Sequence, residues 1–265
     1  MFRNKGKYSE RAATKWIYGN RTEASSQGDW DIESTEYTEL WYQNMYNYED
    51  HRRYGVSAVV VVRFALKTDP QSGAVDIKTV ITAGQSSTSI ESQGVTVASG
   101  ELKHVHEIES GFLKPSYIRV SIEGRNTVES QSSTLDYCII TYGLGTASTD
   151  LEWGQPVVGF MPVGGVTSAR IVGYAASTFQ ESGDLAIMFG NFGNIIIRDT
   201  GEAVIEKYGF DLTKDEVGPC EVLEVSGGCE SSEFPFFLDY AVINYTTVVS
   251  EYSDVEPAAW EWQNP

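Results

Sequence analysis

Leu135-Asp136-Tyr137-Cys138-Ile139-Ile140-Thr141-Tyr142 returns 103 positions later as Leu238-Asp239-Tyr240-Ala241-Val242-Ile243-Asn244-Tyr245. The two octamers share Leu, Asp, Tyr, Ile and Tyr at the same five places. Each is a short β-branched and aromatic run, the pattern of a mostly buried strand. The chain before them repeats as well. Pro115-Ser116-Tyr117-Ile118-Arg119-Val120, closing at Gly124, answers to Pro219-Cys220-Glu221-Val222-Leu223-Glu224, closing at Gly228, at an offset of 104. Gln71-Ser72-Gly73-Ala74-Val75-Asp76-Ile77 answers to Glu181-Ser182-Gly183-Asp184-Leu185-Ala186-Ile187 at 110. Gly55-Val56 with Ser57-Ala58-Val59 answers to Gly165-Val166 with Ser168-Ala169-Arg170. Landmarks in one order at a drifting offset are what loop insertions leave in a duplicated β unit of about one hundred residues. The competing reading is that all-β chains reuse the same strand and turn vocabulary.

The segmentation follows. Residues 1–28 read as a basic N-terminal arm without sustained period. Residues 29–148 form a first β-sandwich unit, with strands near 37–47, 56–67, 74–82, 88–97, 101–109, 116–123 and 134–142. For 29–50 a short helix competes with the strand reading. Gly143 to Asp150 has linker composition. Residues 149–250 form a second unit, with strands near 156–163, 168–177, 184–189, 194–198, 202–207, 219–225 and 236–248. Residues 251–265 are an acidic aromatic tail whose Trp260 and Trp262 are expected to dock into a groove. The expected fold is all-β: two tandem, internally repeated β-sandwich or jelly-roll units with an arm and a tail.

Charge divides the chain the same way. The total is −18 over 265 residues. Residues 1–21 hold Arg3, Lys5, Lys7, Arg11, Lys15 and Arg21 against Glu10, a net of +5, which leaves −23 on the remainder. An acidic body of this kind does not neutralise phosphates, so sequence-specific nucleic-acid binding is not expected. The arm, with Tyr8, Trp16, Ile17 and Tyr18 among its charges, reads either as a solvated terminus or as a segment that orders against something negative: a neighbouring subunit, a membrane surface or nucleic acid. No apolar run reaches the ~20 residues that span a bilayer. The first seven residues lack the apolar core of a signal peptide, which leads one to expect synthesis and use inside a cell.

Chemistry is sparse. His104-Val105-His106 with Glu109 is the one pattern suggestive of a metal, because residues two apart on a strand face one side. It is similar to the first motif of the cupins. It departs from that motif in the early placement of its glutamates and in having no later histidine; the only other histidine is His51. A solvated His/Glu strand face is the plainer reading, and neither metal nor cofactor is expected. Asp136 and Asp239, being duplicated, suggest a role in the fold, such as accepting hydrogen bonds from a turn. Cys138 reads as a small buried hydrophobe. Cys220 and Cys229 flank a predicted strand and read as free thiols, with pairing as the alternative. There is no serine elbow, Cys/His pairing, P-loop or dinucleotide fingerprint, so an enzyme is not expected. Trp41, Tyr42, Tyr46 and Tyr48 could form a sugar-binding platform, although core and interface packing is the favoured reading for aromatics this numerous.

In architecture, over residues 30–250 and through the repeat pairs quoted above, the chain resembles the tandem (double) jelly-roll major capsid proteins of tailless icosahedral viruses. The resemblance implies a virion protein that assembles as trimers into an icosahedral shell. Its partners would be copies of itself and other virion proteins, with termini reaching neighbouring capsomers or an internal membrane. Two alternatives stand beside it. One is another virion component, a tail, spike or decoration protein built of immunoglobulin-like sandwiches; the other is a carbohydrate- or ligand-binding module.

Overall fold

In the computed structural model the chain is almost entirely β. The structure describes residues 8–68, 75–86, 89–91, 95–97, 100–109, 111–129, 133–149, 155–160, 166–177, 183–189, 196–200, 206–212, 223–229 and 235–250. In chain order the strands of the first part are β1 (Tyr8–Tyr18), β2 (Thr22–Ile32), β3 (Thr38–Tyr46), β4 (Ser57–Thr68), β5 (Val75–Ala83), β6 (Ser89–Glu91), β7 (Val95–Val97), β8 (Gly100–Glu109), β9 (Tyr117–Asn126) and β10 (Ser133–Thr146). The helix α1 (Glu49–Tyr54) lies between β3 and β4. The second part holds β11 (Gln155–Phe160), β12 (Val166–Ser177), β13 (Gly183–Phe189), β14 (Ile196–Thr200), β15 (Glu206–Leu212), β16 (Leu223–Cys229) and β17 (Phe236–Ser250).

Among the described residues all strand pairings are antiparallel. β10 lies between β4 and β2, and β8 pairs with the far side of β4. The opposing sheet runs β3-β9-β5, with β6 and β7 on the outer edge of β5. The second part follows suit: β17 lies between β12 and β1, β15 pairs with the far side of β12, and a separate sheet runs β11-β16-β13-β14. β10 and β17 meet where Gly145 faces Phe237 and Thr146 faces Phe236.

Sandwich packing explains the sequence of β4. Ala58, Val60, Val62, Phe64 and Leu66 point into the main core, against Ile77 and Ile81 of β5 and Ile118, Val120 and Ile122 of β9. Val59 and Val61 point the other way and are buried with Phe237 and, less deeply, Val105. A strand covered on both faces reads as an unbroken apolar run.

The duplicated aspartates mark a shared irregularity. Leu135 faces Leu66 and Tyr137 faces Ala65, so Asp136 is the extra residue of a β-bulge. In β17, Leu238 faces Ala175 and Tyr240 faces Tyr174, which makes Asp239 extra in the same way. The bulge shifts the strand's parity, so that Leu135 and Cys138, three apart, both lie in the core. The aspartate sits inside a strand, not at a turn.

Two stretches differ from expectation. Residues 8–32, expected to be mostly arm, form β1 and β2. The expected linker is strand up to Thr146, because Gly145 brings β10 against the backbone of Phe236.

Candidate functional site

Residues 8–32 form two consecutive strands laid across the junction of the two parts, β1 paired with β17 and β2 with β10. Tyr18 faces Tyr240 in β17, and after Gly19-Asn20-Arg21 the chain resumes with Thr22 facing Tyr142 in β10. In β1 the exposed residues alternate with covered ones: Ala12, Thr14, Trp16 and Tyr18 face solvent, while Ala13 and Lys15 are half-buried and Ile17 is in the core. Trp16 is 51% exposed and stacks on Tyr18, 45% exposed, at 6.1 Å between ring centres. Of the basic residues, Arg11 lies in β1 opposite Thr247, and Lys15 holds its ammonium 3.6 Å from the centre of the Tyr54 ring. Arg21 is exposed in the connector. Arg3, Lys5 and Lys7 lie outside the described residues, as do Trp260, Trp262 and Cys220.

A polar hub holds the connector. His51, on α1, is fully buried, and its Nε2–H donates to the Gly19 carbonyl. Its Nδ1 is 3.3 Å from the Tyr142 hydroxyl, which donates to Asn47 Oδ1. The Asn47 amide donates to the Pro115 carbonyl at 2.7 Å. Burial raises the Tyr142 pKa. Nothing around His51 in the sequence forecast this role, because its side-chain hydrogen-bond partners come from residues 19 and 142.

His104 and His106 do share a face of β8, but that face is the interior of the sandwich. His104 lies edge-on to Phe64, with 5.2 Å between ring centres. The Thr79 hydroxyl is 3.2 Å from His104 Nδ1 and also meets His106 Nε2. Burial lowers both imidazole pKa values, that of His106 to about 4, with the neighbouring His104 adding to the effect. Glu109 is exposed at the strand end and, by alternation, on the opposite face. The three residues are therefore not brought together, and among the described residues no cluster of three His, Cys, Asp or Glu could hold a metal. The expected solvated His/Glu face is corrected to a buried pair of imidazoles.

The aromatic residues of β3 divide by parity. Trp41 turns inward, tilted against Trp30 at 6.3 Å. Tyr42 and Tyr46 turn outward, 46% and 64% exposed. Tyr42 is capped by the Arg119 guanidinium at 3.5 Å, and Arg119 grips both oxygens of Glu39 at 2.7 Å. Tyr46 packs against Tyr117. Tyr48 precedes α1 and meets His51 edge-on. The same outer face carries Asp76–Arg125 and Lys78–Glu123 ion pairs, with Tyr37 beside both cations. Cys138 is buried, and burial pushes its thiol pKa up to about 12.

No protein-family model matches the sequence, and no curated protein matches it. Solved structures match at low similarity. A candidate secreted protein from Parabacteroides distasonis is 11% identical with a TM-score of 0.31, over 83% of this chain and 88% of that one. The VP2 subviral particle of infectious bursal disease virus is 8% identical with a TM-score of 0.35. That match covers 89% of this chain but only 43% of the VP2 chain. A tandem of two carbohydrate-binding CBM22 domains from Paenibacillus barcinonensis Xyn10C is 10% identical with a TM-score of 0.29, over 91% of this chain and 95% of that one.

Proposed function

We propose that the protein is a structural virion component, a capsid protein whose copies assemble through trimers into an icosahedral shell. The observation that carries this reading is the order of strand pairing. If β2 to β10 are numbered as eight strands, with β6 and β7 taken as one interrupted strand, the two sheets read 1-8-3-6 and 2-7-4-5. Starting the second part with β1 and continuing from β11 to β17 gives the same two orders. This is the order of a jelly roll, a fold used by shell-forming proteins. It differs from the immunoglobulin order, in which the first two strands pair directly, so a tail or spike protein of immunoglobulin-like domains is less well supported. Two jelly rolls joined through β10 and β17 make a broad block suited to tiling. Location in a virion and contacts with other virion proteins follow from the proposal.

The test is the solution mass of the full chain by light scattering, followed by electron microscopy. Trimers or larger particles are the expected result. A strict monomer at every concentration overturns the proposal. A second reading, a glycan-binding module, draws on Tyr42 and Tyr46, which lie about 13 Å apart on one exposed face. Quenching of tyrosine and tryptophan fluorescence by an oligosaccharide, abolished in Tyr46→Ala, would favour it. The capping of Tyr42 by Arg119 speaks against it, because one stacking face is already occupied.

A further inference from the structure

β1 takes, beside β17, the place that β2 takes beside β10. β2 leads straight into its own sandwich, whereas the whole first sandwich separates β1 from β11. The eight residues between Thr146 and Gln155 are too few to supply an eleven-residue strand and its connections. The edge of β17 from Tyr240 to Ser250 is thus covered by a segment tethered elsewhere.

We propose that β1 is an exchangeable strand, and that in the assembled protein the slot beside β17 receives Tyr8–Tyr18 of a second copy of this chain. The inference rests on the assembly reading above. Among the described residues β1 pairs with β17 alone, so its transfer moves one ladder of eleven residue pairs and leaves the other described pairings intact. The slot is the same in every copy, so register, the seat of Ile17 and the contact of Lys15 with Tyr54 are all reproduced in trans. Only the connector changes. It is three residues long, and Asn20 within it has a φ of 46°, the left-handed conformation that non-glycine residues seldom adopt. Short, strained hinges favour exchange over closure in cis. Charge favours the neighbour as much as the parent chain, since residues 1–21 carry +5 and the remainder of every copy carries −23.

Ala12 and Thr246 face each other in the register, within the range a disulfide bridges. The experiment uses the full chain carrying Ala12→Cys and Thr246→Cys, oxidised once in dilute solution and once in the assembled fraction. Both samples are then separated under denaturing, non-reducing conditions. The expected result is an intrachain bond in dilute solution and a several-fold rise in covalently linked dimers and larger ladders in the assembled fraction. Neither single variant should give those ladders. If the double variant does not fold, Thr14→Cys with Asn244→Cys, also facing partners, gives the same readout. Intrachain bonds alone in the assembled fraction overturn the exchange and leave the assembly reading standing. Light scattering that finds no assembly at any concentration overturns both.

Discussion

The two imidazoles inside the first sandwich make the chain acid-sensitive in a defined window. Below pH 6.5 the unfolded chain protonates His106, while the folded chain refuses the proton until about pH 4. Stability from this group is therefore intact above pH 6.5 and is lost as pH falls from 6.5 to about 4. His106→Leu should flatten that part of the pH dependence by roughly 2–3 kcal/mol. Urea unfolding of both proteins at pH 7 and pH 4.5 checks this, since any constant effect of the substitution cancels between the two conditions. An equally steep loss in the variant would refute it. Cys138 should resist alkylation in the native protein and react in urea, because its thiol is buried and its pKa is raised to about 12. Peptide mass spectrometry resolves this site from Cys220 and Cys229. The sequence suggested that Cys138 is a buried hydrophobe and that His104 and His106 share a face. It could not say that the shared face is the interior, because alternation gives relative, not absolute, orientation.

At the level of elements, the junction of β10 and β17 is where a small change should do most harm. A methyl group on Gly145 would collide with the carbonyl of Phe236, a backbone atom that cannot swing aside. Gly145→Ala should therefore lower the yield of folded protein or the Tm severely, by an amount equivalent to several kcal/mol, as measured by thermal unfolding. Phe237, fully buried against Val59 and Val61, ties β17 to the outer face of β4. Phe237→Ala should cost about 3–5 kcal/mol. If the two sandwiches hold together chiefly here, its unfolding should also resolve into two transitions where the parent chain shows one. Most strands from 38 onward were legible because they carry an apolar face or an apolar run bounded by turn residues, although β15 (Glu206–Leu212) and β16 (Leu223–Cys229) begin later than the expected 202–207 and 219–225. β2 was not legible, since Thr22-Glu23-Ala24-Ser25-Ser26-Gln27 offers a single small apolar residue, Ala24, and gains its place largely by backbone pairing with β10.

On the scale of the molecule, residues 8–32 close both sandwiches, β1 the second and β2 the first. Removing residues 1–18 should leave the edge of β17 uncovered, so the truncated chain should aggregate or lose folded mass, where the full chain stays well behaved. Size-exclusion chromatography with light scattering decides this, and an unaltered truncated protein would count against the closing role of β1. By itself the sequence determined that the chain is all-β and where most strands lie. Periodicity of burial and turn chemistry are written in side chains, so these features could be read directly. Tertiary structure alone decided which strands pair and that the duplicated aspartates form bulges. It also decided that residues 8–18 of the basic segment form a strand of the second sandwich. The reason is physical: a β-ladder is made by backbone amides and carbonyls, which are alike at every residue, so the partner of an edge strand is fixed by topology rather than by its side chains.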